Sequence, residues 1–79
     1  MNRGTQTTSS QRVAANVGRL LEQSGKTREA FSGQMKWSRA TLWRRLGGDR
    51  WYLDEVEQAA SIFGVEPDAL MSPVMDVSA

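Results

Sequence analysis

The sequence predicts an all-α fold, a compact bundle of five short helices. Three observations carry that expectation. Apolar residues recur at helical spacing in successive segments, no segment sustains period-two alternation, and glycine or proline follows four of the five apolar stripes at the distance of a helix stop. The chain has 79 residues, enough for one small core.

The first ten residues are polar, rich in Thr and Ser and without periodicity, and are expected to form a flexible arm. Val13, Val17, Leu20 and Leu21, with Ala14 beside them, make one stripe of a first helix. Ser10 is its expected N-cap and Ser24-Gly25 its stop. Gly18 lies inside that helix, where it lowers helix propensity by about 1 kcal/mol relative to alanine and invites close approach of another backbone. Thr27 caps a second helix, with Glu29 in its first turn and Phe31 and Met35 facing inward. Ser38 opens a third, running through Leu46 and stopped by Gly47-Gly48, with Leu42 and Leu46 on one face. Leu53, Val56, Ala59, Ala60 and Phe63 mark a fourth, ended by Gly64. Pro67 at the first helical position starts a short fifth, over by Ser72-Pro73. The domain is thus expected at 11–71, with 72–79 as a tail.

Composition excludes more than it selects. Without cysteine there is no disulfide framework or thiolate nucleophile, and without histidine a zinc site would need carboxylates alone. No metal, cofactor or enzymatic activity is expected. No apolar run approaches the ~20 residues of a membrane span, and the first ten residues hold no apolar segment of the signal-peptide kind. A cytoplasmic protein is expected. The net charge of +1 hides a strong asymmetry. Residues 26–50 contain seven basic and two acidic side chains, whereas residues 51–79 contain six acidic and no basic ones. A polyanion is the natural partner of the middle segment.

That middle segment contains two short helices joined by a tight turn, the second capped by Ser38 and rich in arginine, which is the arrangement of a helix-turn-helix. The run Thr27-Arg28-Glu29-Ala30-Phe31-Ser32-Gly33-Gln34-Met35-Lys36-Trp37-Ser38-Arg39-Ala40-Thr41-Leu42 resembles the lambda-repressor/Cro-like (XRE-type) DNA-binding domains, whose motif reads roughly T-Q-E-x-L-A-x-x-x-G-V-S-x-x-T-I. The later stretch Leu53 to Leu70, including Ala60-Ser61-Ile62-Phe63-Gly64-Val65 and Leu70, is similar to the fourth and fifth helices of that family. Arg28 stands where glutamine is common, Ser32 where alanine is usual, and Lys36 where the turn usually has glycine. If Lys36 takes the glycine conformation, the backbone strain is roughly 1 kcal/mol; the alternative is a slightly different turn. Arg45 and Leu46 also depart from the common pattern.

The resemblance implies a sequence-specific regulator of transcription, a repressor or its Cro-like counterpart of phage type, acting on a double-stranded DNA operator. It assigns the helix from Ser38 to the major groove, with Arg39, Ala40, Thr41 and Arg44 at the base edges. Arginine pairs bidentately with guanine, and alanine and threonine methyls meet the thymine methyl. The competing reading of Arg39 and Arg44 is a solvated helix face. Arg28, Lys36, Ser38, Arg45 and Arg50 are assigned to phosphates; Arg19 and Lys26 either join them or merely solvate the surface. Trp37 is expected as a wedge between the two helices. Trp43 is either core rim or an indole donor to a phosphate, and Trp51 packs under its loop or at a subunit interface.

Asp54, Glu55 and Glu57 are expected as N-terminal helix charges turned away from DNA. A two-turn recognition helix reads few base pairs, so a symmetric homodimer on DNA is expected. Its predicted contact is residues 66–75, where Leu70, Met71, Pro73, Val74 and Met75 look short of core to pack into. The alternative function is an antitoxin-like or adaptor module whose acidic helices at 53–71 bind a protein partner.

Overall fold

The computed structural model describes residues 8–73; the expected arm at 1–7 and the end of the tail at 74–79 lie outside them. The described residues form five helices: α1 Ser9–Ser24, α2 Arg28–Met35, α3 Arg39–Leu46, α4 Leu53–Phe63 and α5 Pro67–Met71. No strand occurs among them.

The first helix begins earlier than its apolar stripe predicts. Thr8, not Ser10, is the N-cap. Its hydroxyl accepts from Gln11 N at 3.1 Å, and Gln11 Oε1 accepts from Thr8 N at 2.9 Å. This reciprocal box satisfies two end amides, where a lone serine would satisfy one. Ser10 has a different task, because its hydroxyl accepts from Trp51 N at 2.8 Å and ties α1 to the segment before α4. Residues 8–10 therefore belong to the folded domain rather than to an arm.

Thr27 and Ser38 cap α2 and α3 as expected, each accepting from an amide three residues on. Between those helices Lys36 stands at φ 61°, ψ 40°, the left-handed conformation that glycine usually supplies. Its amide closes the end of α2 onto Ser32 O and Gly33 O. Gly48, at φ 99°, is required twice over: any Cβ there would be strained and would lie 3.0 Å from Gln11 Cγ. Gly18 meets no such demand. A Cβ there would have nothing within 4 Å, so the expected backbone approach does not occur.

Val13, Val17 and Leu21 of α1, Phe31 and Met35 of α2, Leu42 of α3, Val56 of α4 and Leu70 of α5 share one core with Trp51. Ala59 and Ala60 are buried as well, and their small side chains let α4 sit close to its neighbours. Full burial of residues such as Phe31, Val17 and Leu70 contributes about 1.5–3 kcal/mol each.

Two sequence expectations fail here. Leu53 is 63% exposed, because it occupies the first position of α4, before the stripe of Val56, Ala59 and Ala60 turns inward. Leu70 is fully buried, so it cannot belong to a free apolar patch for dimer contact. The C-terminal carbonyls of α5 are taken up by α1: Asn16 Nδ2 donates to Leu70 O and Ser72 O, both at 2.8 Å, and Arg12 Nε donates to Met71 O at 3.0 Å. The short α5 is thereby docked along α1. Of the expected contact stretch, Met71 is half-buried, Pro73 is exposed, and Val74 and Met75 lie outside the described residues.

Candidate nucleic-acid interface

Helix α3 turns Leu42 into the core and packs Leu46 against it, which leaves the opposite side of two turns exposed. Side chains four apart share a row on a helix, so Arg39 and Trp43 form one exposed row and Ala40 and Arg44 the next. The expected base-contacting residues Arg39, Ala40 and Arg44 are thus brought to one surface. Arg39 makes no hydrogen bond or ion pair among the described residues.

Arg44 is lightly held. Its Nη2 lies 3.4 Å from Thr41 Oγ1, and its Nε lies 4.0 Å from Asp49 Oδ2, with both side chains of the ion pair more than half exposed. Such a pair is worth little in water and yields readily to a stronger acceptor. Thr41 is half-buried, and its hydroxyl accepts from Ser38 Oγ at 3.1 Å as well as from Arg44. Both are bonds that the Thr41 oxygen accepts, so its own hydroxyl hydrogen is not committed by them. Ser38 is similarly engaged: its oxygen caps Thr41 N and its hydroxyl is donated to Thr41.

The residues assigned to phosphates do not form one class. Lys36 and Arg50 are exposed, at the turn before α3 and in the loop after it. Arg28 opens α2 and lays its guanidinium 5.9 Å from the centroid of the Trp43 ring. Trp43 itself is 60% exposed, so it is not core rim. Lys26 donates to Gln34 Oε1 at 2.9 Å, and Arg19 is half-buried.

Arg45 departs from its expected place. It faces α4, where Nε and Nη2 each meet a carboxylate oxygen of Glu55 at 3.0 Å, a two-bond fork with both side chains largely buried. Its guanidinium also lies over the Trp37 ring at 5.6 Å and the Tyr52 ring at 5.7 Å. The physical reason is the helix period: Arg45 follows Arg44 by 100° and comes round to the flank against the start of α4. The phosphate assignment of Arg45 is therefore corrected to a brace between α3 and α4.

Burial by itself would raise the pKa of Glu55, but the Arg45 hydrogen bonds, the Tyr52 amide, the Arg45 charge and a smaller contribution from Trp37 together hold it below the usual carboxylate value. The hydrogen bonding to Glu55 raises Arg45 in turn, against the opposing effect of burial. Neither group changes charge near neutral pH.

Trp37 and Trp51 complete this brace. Trp37 wedges edge-on against Phe31 at 5.9 Å and meets Trp51 at 5.2 Å, and Trp51 Nε1 donates to Arg45 O at 2.9 Å. Trp51 is thus packed under its own loop. Sequence reasoning missed Glu55 as the anchor of α3. The available signal was its position three residues after Tyr52, where it accepts from the Tyr52 amide at 2.9 Å as a capping residue does.

Beside the Arg39/Trp43 row, an open groove of about 810 Å³ runs between α1, α2 and α3. Among the described residues no cluster of three or more acidic, histidine or cysteine side chains could hold a metal ion, and no helix is long and apolar enough to cross a membrane. No protein-family model, curated protein or solved structure matches this chain.

Proposed function

We propose that the chain is a sequence-specific double-stranded-DNA-binding regulator of transcription, of the repressor or Cro-like kind, that uses α2 and α3 as a helix-turn-helix. The carrying observation is the surface of α3. Arg39, Ala40 and Arg44 stand exposed on a helix whose other side is anchored in the core and, through Arg45, on Glu55. A braced helix with two available guanidinium groups and a methyl suits base-edge recognition, in which fork donors meet guanine and small apolar groups meet thymine. Lys36, Arg50 and Arg28 flank it as candidate phosphate contacts, and the acidic surface of α4 and α5 is kept for solvent or a partner.

The chain acts on DNA as a symmetric dimer, because two turns of helix read only a few base pairs. A titration of a duplex with rising salt tests the electrostatic part. Affinity should fall steeply, with a log–log slope of about 0.9 for each phosphate neutralised. An affinity independent of salt would exclude backbone contact by residues 26–50.

A second reading has its own observation. Tyr52 and Leu53 are 54% and 63% exposed, and the exposed acids Asp54 and Glu57 follow them. This mixed apolar and acidic surface suits a basic protein partner, as in an antitoxin-like or adaptor module. Capture of a defined partner that Leu53→Asp abolishes, without any loss of duplex binding, would support it.

A further inference from the structure

We propose that Trp43 is a specificity-determining residue: its indole face packs on the 5-methyl group of a thymine, under a guanidinium cover that Arg28 gives up to a phosphate. The inference rests on the DNA-binding reading and names a contact within it that the arginine pattern leaves out.

Of the three tryptophans, Trp51 is buried and Trp37 is half-buried and wedged in the ring cluster, yet Trp43 is 60% exposed. It sits four residues after Arg39, in the same row and beside Arg44. Its large apolar ring lies on a strongly basic helix, with the Arg28 guanidinium 5.9 Å from the ring centroid. That distance is at the outer limit of a cation–π contact, which at an exposed site is weak. A phosphate outcompetes the ring for Arg28, because a charge-assisted hydrogen bond to an anion is the stronger interaction. When Arg28 turns to the backbone it uncovers the indole face, and the nearest strand can fill it.

The charge around the groove selects what fills it. Lys26, Arg28 and Arg39 line it, but Glu22 and Glu29 line it too, so it is close to balanced and is a poor seat for a phosphate group. An uncharged apolar group suits it better. In the major groove the apolar group that B-DNA exposes at a base edge is the thymine 5-methyl. The exchange couples one phosphate contact to one base contact: Arg28 secures the strand only by exposing the surface that reads it.

Two readouts on the selected operator test this. The first is fluorescence, with Trp43→Phe as the control that assigns the signal. Operator binding should shift Trp43 emission to the blue and shield it from acrylamide. The second replaces each thymine of the operator by uracil, which removes only the methyl. One position per half-site should lose about fourfold in affinity, the effect of one buried methyl, and Trp43→Ala should abolish that loss. The uracil scan on the unaltered protein stands even if a variant folds poorly.

Operator binding with Trp43 still open to quencher overturns the proposal and leaves the DNA-binding reading intact. A shielded Trp43 with no uracil-sensitive position also overturns it, in favour of a sequence-independent sugar contact. Failure to bind any duplex overturns the functional reading itself, and this inference with it.

Discussion

Arg44 and Arg45 are neighbours in sequence and stand in opposite situations. Arg44 projects from α3 with a 4.0 Å ion pair to Asp49 and most of its side chain in water. Arg45 is forked onto Glu55 at 3.0 Å and enclosed by Trp37 and Tyr52. One side of α3 presents groups and the other holds the helix in place. The contrast teaches that arginine count alone does not measure a binding surface. A guanidinium that is satisfied within the fold fixes geometry, and only one left with weak partners can read a ligand. The same division runs through the aromatic residues, with Trp37 and Trp51 inside the brace and Trp43 outside it.

The comparison breaks most visibly on the holding side. Glu55→Gln keeps an acceptor for the Tyr52 amide but removes the charge that Arg45 faces. It should lower stability by about 2–3 kcal/mol, the scale of a charge-assisted hydrogen-bond pair, and Tm by about 8–24 °C for a domain of this size. Thermal melting checks this. The pH dependence carries the same signature. The folded pKa of Glu55 is below its unfolded value, so its contribution is present above about pH 4.3 and is lost as pH falls through the lowered folded pKa. Glu55→Gln should flatten that part of an acid-unfolding profile.

On the presenting side the outcome should be the reverse. Arg39→Ala and Arg44→Ala should leave Tm within the small changes of a surface substitution. Each should weaken the preferred site by about 1–3 kcal/mol and relax preference at one base position. A melt beside a competition assay against scrambled duplex separates the two effects. Arg28→Ala should instead weaken all sequences alike, because a phosphate contact carries no base preference.

Two backbone positions sharpen the contrast at smaller amplitude. Gly48→Ala puts a Cβ against Gln11 at a left-handed φ, and should cost about 1–2 kcal/mol in denaturant titration. Lys36→Gly should do two things at once. It relieves the strained φ of 61° and stabilises the fold by about 0.5–1 kcal/mol, and it removes a cation and lowers the salt slope by about 0.9. A stability gain with an unchanged slope would remove Lys36 from the phosphate contacts.

Most helix ends were legible in the sequence because a capping residue or a local stop marks them: Thr27, Ser38, Gly25, Gly64 and Pro67 all take the expected terminal roles. Lys36 takes the left-handed conformation, one of the two turn geometries that the sequence left open. What could not be read is what depends on tertiary partners. Leu53 fits the apolar spacing yet faces solvent, because the stripe begins one turn later. Leu70 looked free because α5 packs on α1 as well as on α4, and α1 is more than fifty residues away in the chain; from there Asn16 donates to the Leu70 carbonyl. Arg45 looked like Arg44 because composition does not say which flank of a helix meets its neighbour. Glu55 was hidden for the same reason, as one acid among three.

The most direct test is binding-site selection from random duplex DNA, run in parallel with the unaltered chain, Arg44→Ala and Glu55→Gln at a temperature where all three are folded. The account predicts an enriched motif with two-fold symmetry for the unaltered chain. Arg44→Ala should give the same motif relaxed at one position per half-site, and Glu55→Gln should retain the base preferences with weaker enrichment. No enriched motif from the folded, unaltered chain, or an identical motif from Arg44→Ala, would contradict the assignment of α3 as the reading surface.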